Sequence, residues 1–378
     1  MHTESRKARL GIAAIIAAAS IGEFIFYLAP FVVGGSVQAF GVTEGTAGQI
    51  VAIELGTAAI FALIVASQLA KLQVGYVVGT ALAAVAVGDV TALLTNSLSW
   101  YIPSRALAGA GAGTLLATAN AVGASSRNPQ RLFSMMQFAV VATTVVGFSL
   151  VPLSIEIVGP KGVIAVRVLI ALLLGGLLFW IPAGGNGVES SQPVLSSGRG
   201  YKVVTVLAAV VMIWLGNNGL WAYVERIGAS LAFSVEQISM VLLATSVFAL
   251  SGPACAQLLG SRRGLLAPIG ASALLQAAGA FSLIHAGQLF GFALGSILYS
   301  AAFMFCIPYF KAAMAALDSS GRIVGSGAAL MIVGTAIGPG LFGVILNASG
   351  SYATLGWATI CCFAVGWCLA VPATTTTT

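Results

Sequence analysis

Five ionisable side chains lie inside long apolar stretches of this sequence, where a charge is costly. A charged side chain at the centre of a bilayer costs about 2.5–3.5 kcal/mol on insertion scales, so such residues are candidates for function. Carboxylates can take up and release protons, and arginines, which keep their protons, can pair with carboxylates or bind anions. The second half of the chain has no such residue deep in an apolar stretch, which places this chemistry in the first half. The five residues are Glu23, Glu54, Asp89, Arg105 and Arg167.

Glu23 is the strongest candidate for proton transfer. It lies near the middle of the first apolar stretch, and its neighbours Phe24, Phe26 and Tyr27 are aromatic. Apolar surroundings favour the neutral form of a carboxyl group, as a proton carrier in a membrane requires. The alternative is a glutamate held permanently in a salt bridge.

Arg105 requires an acidic partner, since arginine cannot lose its proton in a protein. Glu54 and Asp89 lie in the two preceding apolar stretches, and either could supply the partner. Two roles are open for these three residues: a fixed ion pair that holds helices together, or a part in proton relay or anion binding. Arg167 lies near an end of its stretch, where its side chain could snorkel to the membrane surface, so we do not include it in the site.

These residues can be positioned only by helices that cross a membrane. Of the 378 residues, 59% are hydrophobic and the mean hydropathy is +1.03. Only 7% are charged, against roughly 25% in soluble proteins. The apolar stretches are continuous, unlike the alternating segments of about ten residues in a membrane β-barrel. The net charge of +6 is not accompanied by an aromatic and basic stripe, so it does not indicate nucleic-acid binding.

Breaks at charges, Pro/Gly clusters and polar dipeptides divide the chain into twelve spans of about 20 apolar residues. The longest connection follows the sixth span and is rich in Gly, Ser and Pro. We therefore predict an all-α membrane protein with an N-terminal six-helix bundle over 1–182, a cytoplasmic linker over 183–201 and a C-terminal six-helix bundle over 202–373. The predicted spans are approximately 11–39, 47–69, 74–95, 100–122, 132–154, 161–182, 202–224, 236–259, 265–285, 288–313, 323–346 and 352–372.

Lysine and arginine predict the orientation, because they concentrate in short cytoplasmic loops of membrane proteins. With a cytoplasmic N-terminus, twelve of the 16 basic residues fall on the inside, two fall within spans, and Lys161 and Arg226 fall outside. We therefore expect a multi-pass protein of the cytoplasmic (plasma) membrane with both termini in the cytoplasm.

Two six-helix halves around a longer linker resemble the layout of the major facilitator superfamily of transporters. The segment Arg105-Ala-Leu-Ala-Gly109-Ala-Gly111-Ala-Gly113 is similar to that family's fourth-helix motif, an arginine followed by a glycine ladder. Segment 41–48 resembles its first outer loop, and segment 334–340 resembles its eleventh helix. Glycines four residues apart share a helix face and allow close packing, which is the alternative to a role along the substrate path.

The sequence departs from the family pattern at its inner loops. Between the second and third spans, Ala70-Lys71-Leu72-Gln73-Val74 lacks the usual glycine and aspartate-arginine pair, and the equivalent loop 260–264 has serine in the acidic place. The charge lock of the inner gate is therefore weakened. The antiporter signature of the fifth span is also incomplete, because segment 147–152 keeps its proline but lacks the paired glycines. Antiport of drugs is accordingly less favoured.

The resemblance implies that the first and seventh helices line a central cavity. The seventh span carries adjacent asparagines, Asn217 and Asn218, which suggest a broken helix that faces water or substrate. For Trp221, Tyr223 and Tyr309 we favour the aromatic belt at a membrane surface over a place in the cavity. The residues expected to couple protons are Glu23, Arg105, Asp89 and Glu54. The residues expected to bind substrate are Glu23, Tyr27, Asn120, Gln137, Asn217, Asn218, Trp221, Tyr299 and Phe303.

The sequence favours a proton-coupled secondary transporter that moves a small organic molecule by alternating access. An uncoupled facilitator and a drug-type proton antiporter are the alternatives within transport. A membrane-embedded enzyme would need clustered nucleophiles, His pairs or metal ligands, but the only histidines are His2 and His285. A sensor would usually carry a soluble signalling domain. We therefore expect no catalytic activity, no cofactor, no metal site and no nucleic-acid partner, and a monomer whose partners are a small-molecule substrate, protons and lipid.

Overall fold

The computed structural model describes residues 2–126, 128–182, 200–260, 264–317 and 322–374. Nearly all of the predicted linker, and residues 261–263 of the second-half loop, lie outside these ranges. The described chain is helical, with short 3-10 helices at Leu69–Lys71 and Gly176–Trp180. The α-helices are α1 (His2–Phe40), α2 (Glu44–Gln68), α3 (Val74–Leu94), α4 (Leu98–Ala124), α5 (Pro129–Val158), α6 (Gly162–Gly175), α7 (Gly200–Trp221), α8 (Val224–Ser230), α9 (Val235–Ala249), α10 (Ser251–Leu259), α11 (Leu266–Ile284), α12 (Leu289–Leu317), α13 (Arg322–Ser349) and α14 (Tyr352–Thr374).

Twelve segments of the described chain are long and apolar enough to cross a membrane, which confirms the predicted all-α fold class. Helices α1 to α6 supply the first six, and the sixth continues into the 3-10 helix Gly176–Trp180. The seventh combines α7 with α8, and the eighth combines α9 with α10. The remaining four spans are α11 to α14, and the span formed by α13 begins at Ile323.

Local sequence signals explain several helix ends. At the start of α5, the Asn128 side chain accepts a hydrogen bond from the Arg131 amide at 3.1 Å, and Pro129 occupies the first turn, where its missing donor is not needed. At the start of α9, Ser234 and Gln237 form a reciprocal capping box. The interruption between α9 and α10 at Leu250 shortly precedes Pro253, whose ring removes one backbone donor from the helix.

The described residues group into two compact units. The first comprises the chain up to residue 42 and residues 50–182; in it, α1 packs against α4, α5 and α6, and α3 packs against α4 and α6. The second comprises residues 43–49 and the described residues from 200 onward. There, α7 packs against α13 and α14, α11 against α12 and α14, and α12 against α9 and α10.

Candidate functional site

Four charged side chains of the first unit form a closed ion cluster. Arg105 of α4 contacts Glu54 of α2 (Nη1 to Oε1, 3.2 Å) and Asp89 of α3 (Nη2 to Oδ1, 2.5 Å). Arg167 of α6 contacts the same two acids, at 2.6 Å from Nη1 to Glu54 Oε1 and at 3.2 Å from Nη2 to Asp89 Oδ1. Each guanidinium therefore bridges both carboxylates, and the cluster has no net charge. Arg105 therefore has two acidic partners, Glu54 and Asp89.

The ion cluster is closed to solvent. The exposed fraction is 0% for Arg105, 1% for Asp89, 2% for Glu54 and 3% for Arg167. The prediction that Arg167 snorkels to the membrane surface is wrong, because two carboxylates compensate its charge inside the unit. Removal of one partner from a buried ion pair costs about 3–5 kcal/mol, since an uncompensated charge remains. The cluster therefore tolerates a change of charge poorly.

The glycine ladder of α4 explains how three helices approach closely enough to form this cluster. A Cβ atom on Gly109 would collide with the backbone carbonyl oxygen of Glu54, and one on Gly113 would collide with the backbone of Ala58. Gly111, on a different face, meets α3 in the same way. Two glycines thus pack against α2 and the third against α3, so the ladder has a packing role.

Gly109→Ala is expected to destabilise the protein, because the added methyl group forces α2 away from α4 and lengthens the contact between Arg105 and Glu54. Overpacking of a well-packed interior typically costs about 1–3 kcal/mol. The thermal midpoint of the purified protein in detergent should therefore fall. Gly79→Ala in α3 is the matched control, because a Cβ there meets no atom within 4 Å. Equal midpoints for Gly109→Ala and the wild type would show that the close approach is dispensable.

Aromatic rings cover one side of the ion cluster. The ring centre of Tyr101, one turn before Arg105 on α4, lies 5.9 Å from the guanidinium carbon. The Tyr101 hydroxyl lies 3.2 Å from Ser36 Oγ, and its ring centre lies 4.6 Å from that of Phe40. Tyr101 is fully buried. Tyr101 therefore contacts both Arg105 and the C-terminal part of α1.

Lys161 connects two turns of the first unit. Its amine donates a hydrogen bond to the Thr95 carbonyl oxygen at 2.7 Å and lies 3.4 Å from Asn96 Oδ1. Partial desolvation lowers the pKa of this amine. The turn that follows α3 is thereby linked to the turn that precedes α6.

Glu23, Tyr27 and Gln137 come together on α1 and α5. Tyr27 lies near the Gln137 side chain of α5 and near Glu23, one turn earlier on α1, so that both groups influence its hydroxyl electrostatically. Glu23 and Tyr27 are partly exposed at mid-span, whereas residues 28–34 of the same helix are buried. Among the described residues, no basic group lies within 4.0 Å of the Glu23 carboxylate. Three predicted residues therefore form one polar group around an unpaired acid.

Asn120, the other substrate residue predicted in the first unit, is exposed near the C-terminal end of α4. It makes no hydrogen bond to the rest of the described chain. The structure does not join it to the group around Glu23.

The seventh span is broken, as its adjacent asparagines suggest, but the break lies at residues 222–223, between α7 and α8. The Asn218 side chain donates to the Trp214 carbonyl oxygen at 2.9 Å. Asn217 is buried, and its Nδ2 has no hydrogen-bond partner in the described structure. The Tyr299 hydroxyl of α12 donates to the Asn217 carbonyl oxygen at 2.7 Å. The asparagine pair and Tyr299 thus belong to one polar region of the second unit.

Phe303 joins this region through an aromatic contact. Its ring centre lies 5.0 Å from that of Trp214, edge to face. Trp214 also meets Phe310 at 6.2 Å. Trp221, the last residue of α7, is partly exposed.

The prediction of a place in the membrane-surface belt is wrong for Tyr223 and Tyr309. Tyr223 is fully buried and donates to the Pro339 carbonyl oxygen at 2.8 Å, and Tyr309 is buried and donates to the Gly260 carbonyl oxygen at 3.1 Å. A buried tyrosine whose hydroxyl has a backbone acceptor is a packing residue.

Sequence reasoning also missed a charged group in the second unit. Arg226 lies within α8 and not in a loop; its Nε is 3.2 Å from Glu44 Oε1, and its Nη1 is 3.8 Å from Glu225 Oε2. The Tyr352 hydroxyl donates to the Glu44 carboxylate. Glu225 is buried, so the second half does contain an ionisable residue enclosed within a span. The adjacent acid and base at 225 and 226 were the available signal.

The described residues contain no group of three or more His, Cys, Asp or Glu side chains that could hold a metal ion. No family model and no curated protein matches the sequence. Solved structures do match. A D-xylose–proton symporter aligns with a TM-score of 0.73 at 15% identity, over 96% of this chain and 97% of that chain. The inward-open xylose transporter XylE from E. coli aligns with a TM-score of 0.72 at 16% identity, over 94% and 95%.

A third solved structure, the major facilitator superfamily transporter FucP in the outward conformation, aligns with a TM-score of 0.60 at 18% identity, over 96% of this chain and 98% of that chain. All three alignments span nearly the whole of both chains. The chain has the fold of the major facilitator superfamily.

Proposed function

We propose that this protein is a proton-coupled secondary transporter that moves a small organic molecule across the cytoplasmic membrane by alternating access. The fold, shared with a D-xylose–proton symporter, supports transport. The observation that carries proton coupling is Glu23, a mid-span carboxyl group with no basic partner within 4.0 Å in the described chain. Such a group can gain and lose a proton without breaking an ion pair, so each side of the membrane can protonate it in turn.

The other predicted coupling residues fit a different role. Glu54, Asp89 and Arg105 are engaged with one another and with Arg167. Protonation of either acid would leave a buried guanidinium short of negative charge. We assign these residues to the assembly of α2, α3, α4 and α6, and Glu23 to the proton cycle.

Substrate binding in the first unit is assigned to the group around Glu23. The Tyr27 hydroxyl and the Gln137 amide offer both a donor and an acceptor beside the carboxyl group. In the second unit we assign Asn217, Asn218, Tyr299 and Phe303, which combine polar groups with an aromatic surface. Trp221, the last residue of α7, and Asn120, which lies apart from the group around Glu23, remain candidates.

The test requires a ligand first. A compound that binds the native state raises its thermal midpoint, so a chemical library can be screened on the purified protein. The compound that raises the midpoint is then offered to proteoliposomes with an imposed pH gradient. Accumulation that a protonophore abolishes is expected. Equilibration to the same level with and without the gradient would identify an uncoupled facilitator.

Both termini are expected in the cytoplasm. With the exposed native cysteines replaced by alanine, Ser125→Cys, after α4, should react with a membrane-impermeant maleimide only after the cells are opened. Ser349→Cys, at the end of α13, should react in intact cells. The reverse pattern would overturn the orientation.

A further inference from the structure

We propose that Glu225 is a second proton-binding residue of this protein, and that its proton determines how firmly the second unit holds the start of α2. The inference goes beyond the proposed function, because it concerns neither Glu23 nor the substrate. It rests on four side chains of the second unit, here called the Glu225 group: Glu44, Glu225, Arg226 and Tyr352.

The Glu225 group contains more acid than base. Arg226 is the one basic group of the described chain within 4.0 Å of the Glu44 or Glu225 carboxylate. With both acids ionised, the group would carry one excess negative charge, unlike the neutral ion cluster of the first unit. One bound proton would make it neutral.

The surrounding elements supply no second base. Helices α9 and α11 pack against α8; the titratable residue of α9 is the exposed Glu236, and α11 has none. Helix α13 has none from Ile323 to Ser349. The remaining titratable side chains on neighbouring elements are Tyr223 before α8, the cysteines of α14, and Tyr201 and Lys202 at the far end of α7.

The contacts single out Glu225 as the acid that binds the proton. Arg226 Nε donates a hydrogen bond to Glu44 Oε1 at 3.2 Å, and the Tyr352 hydroxyl donates to the same carboxylate. Glu225 Oε2 lies 3.8 Å from Arg226 Nη1, and it has no hydrogen-bond partner in the described structure. The Glu225 side chain is 5% exposed, against 25% for that of Glu44. A buried carboxylate without a donor is stabilised in its neutral, protonated form.

Close packing holds the second acid near the same arginine. The first turn of α2 belongs to the second unit. A Cβ atom on Gly45 would collide with the Gly343 carbonyl oxygen of α13, and one on Gly48 would collide with the Tyr223 hydroxyl. This contact fixes Glu44 beside α8, so that two carboxylates share one guanidinium.

The proton therefore changes how Arg226 is used. With Glu225 protonated, Arg226 balances Glu44 alone and the group is neutral. When the O–H bond of Glu225 breaks, the proton passes to water and two carboxylates compete for Arg226. Glu44 is then held less tightly, and the start of α2 separates more readily from α8. The hold is strongest at low pH and weakens as pH rises through the titration of Glu225.

The experiment detects this proton directly. Infrared spectroscopy of the full-length protein in detergent, recorded as a function of pH, separates the carbonyl stretch of a protonated carboxyl group from the bands of a carboxylate. All proteins carry Glu23→Gln, which removes any signal from that acid. Glu225→Gln, Glu225→Asp and Glu44→Gln are added to this background. Glu236→Gln is the matched control, because Glu236 is an exposed glutamate in the first turn of α9 of the same unit.

We expect a protonated carboxyl signal in the Glu23→Gln protein that disappears as pH rises. Glu225→Gln should abolish it, and Glu225→Asp should keep it at a changed frequency, which assigns the proton to that side chain. Glu44→Gln should move the loss of the signal to lower pH by about one unit or more, because Glu225 would then be the acidic partner of Arg226. Glu236→Gln should leave the signal unchanged. If Glu225→Gln does not fold, the other two variants still decide.

Thermal midpoints measure the hold on α2. At low pH, Glu44→Gln should lower the midpoint, because Arg226 loses its partner. At high pH, Glu225 is ionised and pairs with Arg226, so the same substitution removes the excess charge. It should then lower the midpoint much less, or raise it.

The proposal is overturned if no such signal remains in the Glu23→Gln protein, if Glu225→Gln retains it, or if Glu44→Gln lowers the midpoint equally at both pH values. A midpoint that rises with Na⁺ but not with choline, without the carboxyl signal, would assign a metal ion in place of the proton and also overturn it. The proposed function fails separately. A Glu225 signal in a protein without gradient-driven accumulation would keep this site and reject coupled transport.

Discussion

Glu23→Gln is expected to lose accumulation driven by a pH gradient. The amide cannot be ionised, so its state is the same on both sides of the membrane and the gradient has no group on which to act. With one proton per substrate, a difference of one pH unit is worth about 1.4 kcal/mol, so the wild type can accumulate its substrate up to about tenfold. The variant should reach no more than the external concentration. The measurement is the steady-state level in proteoliposomes.

Glu156→Gln provides the matched control, since it removes the same charge from an exposed position on α5. It should accumulate substrate as the wild type does. Full accumulation by Glu23→Gln would remove Glu23 from the coupling site. Asp89 and Glu54 would then become the leading candidates, despite their contacts with both arginines.

Arg105→Met is expected to cost about 3–5 kcal/mol of stability and to abolish transport, because Glu54 and Asp89 would then share only Arg167. Adding Asp89→Asn should restore much of the stability, since the pair of Arg167 and Glu54 remains neutral. The double variant should therefore be more stable than Arg105→Met alone. The free-energy changes of the two substitutions would then not add, as is expected for residues in contact. Thermal midpoints in detergent measure this, and membrane insertion is checked for each variant.

If the double variant is no more stable than Arg105→Met, the balance of charge within the cluster does not contribute to the stability of the protein. A stable double variant that still fails to transport would assign Arg105 or Asp89 a direct part in the cycle, beyond helix assembly. Either result would revise the division of roles between the ion cluster and Glu23.

The sequence predicts the membrane spans well because hydropathy is a property of the segment and not of its neighbours. The run that includes Ile323–Ser349 must cross a membrane wherever its partners lie. The need of Arg105 for an acid is equally local, since a buried arginine cannot become neutral. The convergence of Tyr27 with Gln137 depended on the family resemblance, because no local signal joins α1 to α5.

Features that depend on the direction of a side chain were harder to predict. Arg167 near a span end could point to the membrane surface or inward, and only the positions of α2 and α3 decide between these. Tyr223 and Tyr309 present the same ambiguity, because the local sequence around an aromatic residue near a span end does not distinguish a membrane-surface position from a buried one. The contact of Glu44 with Arg226 joins residues 182 positions apart, and nothing in either local sequence indicates it.

The order of synthesis determines when the charges of the ion cluster become compensated. Glu54 and Asp89 leave the ribosome before either arginine, and Arg167 is made last. Spans two and three therefore enter the membrane region with carboxyl groups that have no basic partner, so these groups must stay protonated or remain near water until α4 arrives. After α4 the group still carries one excess negative charge, and only α6 makes it neutral. The sixth span thus completes both the charge balance and the packing of the first unit. The ion cluster cannot be neutral before this span is present.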